Sequence, residues 1–133
     1  MKLKFVYGVI PVLLIHAPVL VPERFAAMNY ALFVAFKNSY SIEDIPLVQH
    51  ELQHTKQFFR LPVLHPLLYA LSKQYRYKSE LEAYALQIRS YPASQQQRLC
   101  AIFANSLYKN YNLQGYKTLE QMLVDLNKAA AYG

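Results

Sequence analysis

The chain contains a single cysteine and no tryptophan, and it has no internal repeat and no low-complexity linker. The one cysteine, Cys100, excludes an intrachain disulfide, so nothing in the sequence points to an oxidising compartment. Cys100 lies in the apolar stretch 99–103, which predicts a core position in a helix and not a nucleophile or a metal ligand. With 133 residues, of which 54% are hydrophobic, the chain is long enough to bury a core, and we expect one domain spanning residues 1–133.

Acidic residues are scarce in this chain. It has 8 acidic and 14 basic residues, which gives a net charge of +6. A basic chain favours acidic partners such as nucleic acid or anionic surfaces, but here the positive residues are scattered, and only residues 73–78 approach a cluster. We therefore interpret them as solvated helix ends and expect no specific nucleic-acid partner.

An apolar run near the N-terminus, residues 5–21, follows Lys2 and Lys4 and resembles a signal peptide or a signal anchor. Two prolines within the run make it a poor membrane-spanning helix, and no clear cleavage site follows it. Its valine, isoleucine and tyrosine content favours strands joined by a turn near residues 8–11. The sequence thus predicts no transmembrane segment and a cytoplasmic location.

The remaining pattern places strands first and helices after them, which predicts the α+β class. The predicted elements are one or two strands within 5–21, a strand at 30–37, and helices at 45–59, 66–75, about 78–90, 94–108 and about 118–130. The last helix opens on Thr118, and Gln121 follows three residues later, which is a capping-box pattern.

Residues 50–54, within the 45–59 helix, read His-Glu-Leu-Gln-His, the H-E-x-x-H pattern of zinc metallopeptidases. On a helix, His50 and His54 lie one turn apart on one face, so both imidazoles can bind a single metal ion. Glu51 projects beside that metal, where a carboxylate can accept a proton from an activated water. The pattern favours a metal site over the alternative of an amphipathic helix that happens to carry two histidines.

A catalytic zinc needs a third protein ligand, and residues 80–83 read Glu-Leu-Glu-Ala, an E-x-x-A pattern. With both motifs, residues 45–88 resemble the gluzincin branch of the zinc metallopeptidases, including the minimal gluzincins and small zincin-like proteins of phages and prophages. The resemblance implies a zincin-like fold, in which a small N-terminal sheet packs on a helical bundle that carries the H-E-x-x-H helix. The implied ligands of Zn²⁺ are His50, His54 and Glu80.

The choice of the carboxylate ligand depends on helix geometry, because Glu82 also fits an E-x-x-A pattern. Glu80 and Glu82 are separated by about 200° around a helix, so only one of them can face the metal. Residues 79–82 match an S-x-x-E capping box, in which Ser79 caps the helix and Glu82 folds back onto its backbone. This capping role for Glu82 favours Glu80 as the ligand.

The resemblance implies that the chain is an enzyme, a zinc metallopeptidase that hydrolyses peptide bonds in a peptide or protein substrate with Glu51 as the catalytic base. Two alternatives stay open: a zincin-like protein that keeps zinc but serves as a binding or structural module, for example in a phage, and a basic membrane-surface protein whose histidine pair is incidental. The intact Glu51 favours the peptidase, because a structural zinc site needs no base. The short chain favours the module, because it leaves little material for a substrate-binding lobe.

Many relatives add a tyrosine or histidine that donates a hydrogen bond to the developing oxyanion. Spacing alone does not choose among the candidates in this chain, which are Tyr69, Tyr75, Tyr77, Tyr84 and His65. Tyr84 also stands where many E-x-x-A helices carry an aspartate that orients a zinc-bound histidine. The groups that orient the histidines must therefore be arranged differently here, and Tyr84 could hydrogen-bond in place of that aspartate.

In zincin folds, a strand that precedes the H-E-x-x-H helix forms the edge of the active-site cleft, and the strand at 30–37 is the candidate here. An extended peptide can add to such an edge through backbone hydrogen bonds. The two histidines outside the motifs have structural interpretations: His16 is expected to be a core histidine, and His65 a turn or cap residue.

Overall fold

The computed structural model of the chain describes residues 1–132, without the side chain of Tyr132. Within these residues the protein has the predicted α+β class, with a four-stranded mixed sheet followed by five helices. The strands are β1 Lys2–Val6, β2 Ile10–His16, β3 Ala27–Asn29 and β4 Phe33–Phe36. The helices are α1 Ile45–Arg60, α2 Leu64–Leu71, α3 Lys73–Arg89, α4 Ala93–Asn110 and α5 Leu119–Tyr132.

The N-terminal apolar run forms strands, as predicted. β1 and β2 pair as an antiparallel hairpin, and the turn between them places Tyr7 at φ 54° and Gly8 at φ 73°. Two consecutive positive φ values match the right-handed twist of a hairpin, and glycine adopts one of them without steric cost. No helix within residues 1–132 has the length and the apolar content needed to cross a membrane.

The sheet order β1-β2-β4-β3 places β3 at one edge. β2 runs parallel to β4, and β3 pairs with β4 in antiparallel orientation. The prediction that the 30–37 strand forms the edge of the cleft is therefore wrong, because β4 lies inside the sheet. Its residues Val34, Ala35 and Phe36 are fully buried, and such a continuous apolar run is typical of an inner strand covered on both faces.

The sheet packs against α1 through aliphatic and aromatic side chains. This core is formed by Val6, Val12, Leu14, Ala27, Val34, Phe36, Ile42, Val48 and Leu52. A second core joins α3, α4 and α5, and it contains Cys100, Leu107, Met122 and Leu126. The prediction that Cys100 occupies a helical core position is thus confirmed. Helix α1 belongs to the first core and α3 to the second, so the α1–α3 interface lies between them.

The starts of the helices confirm one predicted cap and correct another. Thr118 and Gln121 form the predicted capping box, in which each side chain accepts a hydrogen bond from the backbone N–H of the other residue. The box predicted at 79–82 is wrong, because α3 begins at Lys73 and the side chain of Ser72 caps it. Ser79 is a buried residue in the second turn of that helix.

Two histidines outside the motif also differ from expectation. His16 ends β2 as an exposed residue rather than a core residue, and its Nε2 lies 3.2 Å from the carbonyl oxygen of Lys37. His65 belongs to the first turn of α2 and not to a connector. It is buried, and its Nδ1 lies 2.7 Å from the hydroxyl of Tyr75.

Candidate metal centre

Helices α1 and α3 bring three side chains of the predicted site together. The Nε2 atoms of His50 and His54 are 3.3 Å apart. Oε1 of Glu80 lies 3.4 Å from the first of these nitrogens and 3.2 Å from the second. Three ligand atoms of the types that bind transition metals thus form a nearly equilateral triangle that could hold a metal ion.

Because the triangle is buried, its polar atoms destabilise the fold when no cation lies between them. His50 and Glu80 are 4% and 1% exposed. Nδ1 of His50 and Oε1 of Glu80 have no hydrogen-bond partner among the described residues. A buried polar atom without a partner destabilises the fold, and a metal ion at the centre of the triangle would satisfy the carboxylate oxygen.

The electrostatics of the metal-free site are dominated by the contact between Glu80 and the histidines. Burial alone lowers the pKa of His54, but the carboxylate of Glu80 outweighs it and raises that pKa to about 9. Burial likewise raises the pKa of Glu80, but the positive charge of His54, 3.2 Å from Oε1, outweighs burial and shifts that pKa well below its ordinary value. Both shifts favour a protonated His54 beside an ionised Glu80 when no metal is bound, and metal binding would displace a proton from this pair.

Gln57 determines which nitrogen of His54 faces His50 and Glu80. Its side-chain amide N–H groups donate to the carbonyl oxygen of Ser79 at 2.8 Å and to Oε1 of Glu82 at 3.1 Å. Oε1 of Gln57 therefore points the other way, and it lies 2.9 Å from Nδ1 of His54. An acceptor at this position requires a proton on Nδ1, so Nε2 is the nitrogen whose lone pair is available to a metal.

Glu82 has no contact with the histidines of the triangle. It accepts hydrogen bonds from the side chains of Gln53, Gln57 and Arg60, all on α1. Glu82 therefore ties α3 to α1 through these three side chains. This role replaces the predicted cap. Of the two glutamates, only Glu80 belongs to the group with the histidines, as the 200° separation allowed for one of them.

Glu51, the predicted base, lies in α1 next to His50 and lines a cleft with a volume of about 1250 Å³. It is 6% exposed. Burial raises the pKa of the Glu51 carboxyl above its ordinary value, although the neighbouring histidines oppose the shift. A carboxylate with a raised pKa accepts a proton more readily, which suits a general base.

Among the five candidate hydrogen-bond donors from the sequence, Tyr69 has its polar atom at the metal centre. Its hydroxyl donates to Oε2 of Glu80 at 2.5 Å, which leaves Oε1 directed to the histidines. Three other hydroxyls are occupied elsewhere: Tyr75 contacts His65, Tyr77 donates to Asp125, and Tyr84 contacts Ser106 and Tyr111.

Tyr84 reaches the metal centre with its ring instead of its hydroxyl. The ring packs edge-on against the imidazole of His50, with 4.4 Å between the centroids. The hydroxyl of Tyr84 therefore does not take the place of the missing aspartate, because its partners are Ser106 and Tyr111. This contact restricts the orientation of the His50 ring, whose Nδ1 has no polar partner in the described residues.

The edge strand β3 forms one wall of the cleft, with residues 27–31 along it. The carbonyl of Ala26 and the N–H of Tyr30 bond to β4, and strand residues alternate in direction. The backbone groups of Ala27 and Asn29 therefore point away from β4, along the free edge of the sheet. The edge predicted for strand 30–37 thus exists, but β3 supplies it.

Asn29 fixes this edge to α1. Its side-chain N–H group donates to the carbonyl oxygen of Glu51 at 2.7 Å and to the hydroxyl of Thr55 at 2.9 Å. The hydroxyl of Thr55 in turn donates to the carbonyl oxygen of Ala31 at 2.8 Å. The strand is therefore held at a fixed distance from the turn of α1 that carries Glu51.

Sequence reasoning missed Asn29 and Gln57. The contact of Asn29 with α1 joins residues 22 and 26 positions apart, and no local pattern announces it. Gln57 follows His54 by three positions on the same helix, so its spacing was a usable signal: residues at i and i+3 are neighbours on a helix surface.

Replacing Gln57 with leucine is expected to weaken metal binding about 10–100-fold, the usual cost of losing a hydrogen bond that orients a ligand. Gln53→Leu is the matched control, because it removes a similar buried amide that also donates to Glu82 but does not contact His54. Competition titration of both variants with a metal-binding dye measures the effect. Equal losses in the two variants would contradict an orienting role for Gln57.

Comparison with known proteins finds no matching family model, no similar curated protein and no similar solved structure. The functional interpretation of this chain therefore rests on the geometry of the metal centre and its cleft.

Proposed function

We propose that the chain is a zinc-dependent metallopeptidase with a zincin-like fold, in which His50, His54 and Glu80 hold Zn²⁺ and Glu51 is the catalytic base. The observation that carries the proposal is the triangle of ligand atoms on the floor of the cleft, with Glu51 beside it.

The size of the triangle favours zinc. In a tetrahedral site with bonds of about 2.0–2.1 Å, two ligand atoms lie about 3.3–3.4 Å apart. The three sides of the observed triangle measure 3.2, 3.3 and 3.4 Å. Two imidazole nitrogens and one carboxylate oxygen are also the ligand set of catalytic zinc sites in which the fourth position is left for water or substrate.

The residues around the metal suit hydrolysis. A zinc ion bound there supplies a Lewis acid that activates water and polarises a carbonyl. Glu51 takes a proton from the attacking water and delivers it to the leaving amine, so that one carboxylate acts first as a base and then as an acid. Tyr69 holds Oε2 of Glu80, which keeps the carboxylate in one orientation throughout the reaction.

An extended peptide is the substrate that the cleft fits best. The free edge of β3 offers the backbone groups of Ala27 and Asn29, to which a peptide strand can add. Because Asn29 also donates to the carbonyl of Glu51, a peptide on this edge is placed next to the base. Side chains of such a peptide would meet a wall that includes Phe103 and Tyr111.

Purified protein is expected to bind about one zinc ion per chain, because the three ligands converge on one point. Elemental analysis after dialysis against a weak chelator measures the ratio, and His54→Ala is expected to lose most of the metal. Lys56→Ala serves as the control, because it changes α1 two residues away without contacting the metal centre. A chain that takes up no zinc would exclude the proposal. Zinc uptake without cleavage of any peptide would favour a binding module instead.

A further inference from the structure

The segment that connects the two ligand helices exposes an unusual number of aliphatic side chains. Within eleven residues, five large apolar side chains are between 38% and 81% exposed. We call them the α2 patch, and they are Leu61, Val63, Leu64, Leu67 and Leu71. Exposed apolar surface of this density marks a site that contacts a partner or a membrane.

The α2 patch is distinct from the cleft. With 100° per residue, Leu64, Leu67 and Leu71 lie within about 60° of one another around the helix. His65 and Tyr69, which line the cleft, lie about 100° and 140° from Leu64 on the other side. Helix α2 therefore has two faces: one closes the metal cleft, and the other is apolar and exposed.

The chain segment that contains the α2 patch carries charge of one sign. Residues 52–79 contain five basic residues and no aspartate or glutamate. The patch is flanked along the chain by Arg60 and Lys73. Arg60 is paired with Glu82 across the α1–α3 interface. Lys73 is exposed and forms no ion pair with any described residue, so its charge is not neutralised, although its Nζ donates a hydrogen bond to the carbonyl oxygen of Gln114 at 2.7 Å.

We propose that the α2 patch docks the protein onto an anionic phospholipid bilayer. Aliphatic side chains with flanking cations are the two elements that bind a short helix to such a surface, since the apolar groups enter the acyl boundary and the cations meet the phosphates. Helix α2 has eight residues and a length of about 12 Å, so it lies in the interface and does not cross it.

The composition of the patch favours a bilayer over a protein partner. The energetic centres of protein interfaces are enriched in tryptophan, tyrosine and arginine, and they are poor in leucine and valine. The α2 patch consists of leucine and valine alone. A bilayer requires no specific side-chain complementarity, and its anionic surface matches the absence of acidic residues over 52–79.

Docking through α2 has a geometric consequence for the cleft. Since His65 and Tyr69 belong to the same short helix and line the cleft, the cleft lies within one helix diameter of the bilayer surface. The docking itself does not depend on the metal or on catalysis, so it is testable separately from the proposed peptidase activity.

Co-sedimentation with vesicles tests the proposal. The full-length protein is expected to bind vesicles of phosphatidylcholine with 30% phosphatidylglycerol and to bind pure phosphatidylcholine at least about fivefold more weakly. Leu67→Gln combined with Leu71→Gln is expected to reduce binding to the anionic vesicles at least about tenfold, because each leucine loses its transfer into the acyl region. Lys73→Gln is expected to reduce it about fivefold.

The matched control combines Val19→Gln with Val124→Gln, which change two exposed aliphatic residues outside the patch. This double variant should bind vesicles like the wild type. Circular dichroism checks that all variants are folded. Equal binding by the patch variant and the wild type would overturn the proposal. The proposal would also be overturned if the wild type did not bind vesicles but associated with itself in a concentration-dependent way, and the patch variant did not. The partner of the patch would then be a second copy of the chain.

Discussion

The Glu51→Gln variant is expected to bind zinc like the wild type and to lose peptide hydrolysis by about 10²–10⁴-fold, the range that a general base contributes. The carboxamide preserves the volume and the position of the side chain but cannot accept the proton of the attacking water. Glu51 itself is not part of the ligand triangle, so the metal content should stay near one ion per chain.

The experiment needs a peptide that the wild type cleaves, and kcat is compared at equal zinc content. Glu43→Gln is the control, because it neutralises an exposed carboxylate that does not line the cleft and whose partner Lys2 lies on β1, the edge strand opposite β3. A Glu51→Gln variant with wild-type kcat would exclude Glu51 as the base. Loss of zinc in this variant would mean that the carboxylate also supports the metal centre.

The sequence was sufficient to predict that the two histidines lie together, because their relative position follows from local geometry. His50 and His54 share a helix face whatever the rest of the fold does, since four residues make about one turn. The separation between Glu80 and Glu82 allowed only one of them at the metal. The structure brings the first of these to the histidines, although the capping argument that favoured it was wrong.

That argument failed because a capping box is a local pattern that a helix interior can also contain. Ser79 and Glu82 have the spacing of a box, but the chain is already helical from Lys73 onward, with Ser72 as the cap. Glu82 instead binds three side chains of α1. These contacts join residues more than twenty positions apart, and the sequence contains no record of which helix faces which.

The strand order could not be predicted either, because it also depends on contacts between residues that are far apart in the sequence. The strand predicted at 30–37 is confirmed for Phe33–Phe36 only. Its place in the sheet depends on the short β3, a segment of three residues that lacks a strand pattern. Ala31, at φ 66°, reverses the chain between β3 and β4. The reversal places β4 inside the sheet and leaves β3 as the wall of the cleft.

Comparison of Glu80→Gln with Glu82→Gln separates the ligand from its neighbour on the same helix. Glu80→Gln is expected to lower zinc affinity by more than about 100-fold, because loss of a direct ligand exceeds the 10–100-fold cost of losing an orienting group. Glu82→Gln is expected to change zinc affinity by less than about threefold. Its amide oxygen still accepts the hydrogen bond from Gln57, so Gln57 keeps the position from which it orients His54.

The stability of the metal-free variants provides an independent readout. Glu82 and Arg60 form an ion pair whose side chains are 42% and 52% exposed, so Glu82→Gln should cost about 1 kcal/mol or less in the free energy of unfolding. Glu80 is buried against His54, and its folded-state pKa is depressed. The stability that its carboxylate contributes is therefore present above its unfolded pKa and is lost as the pH falls through the folded value. Urea unfolding of the metal-free proteins at pH 7 should show a larger loss in the free energy of unfolding for Glu80→Gln than for Glu82→Gln. If instead Glu82→Gln were the variant that lost zinc affinity, Glu82 would be the metal ligand.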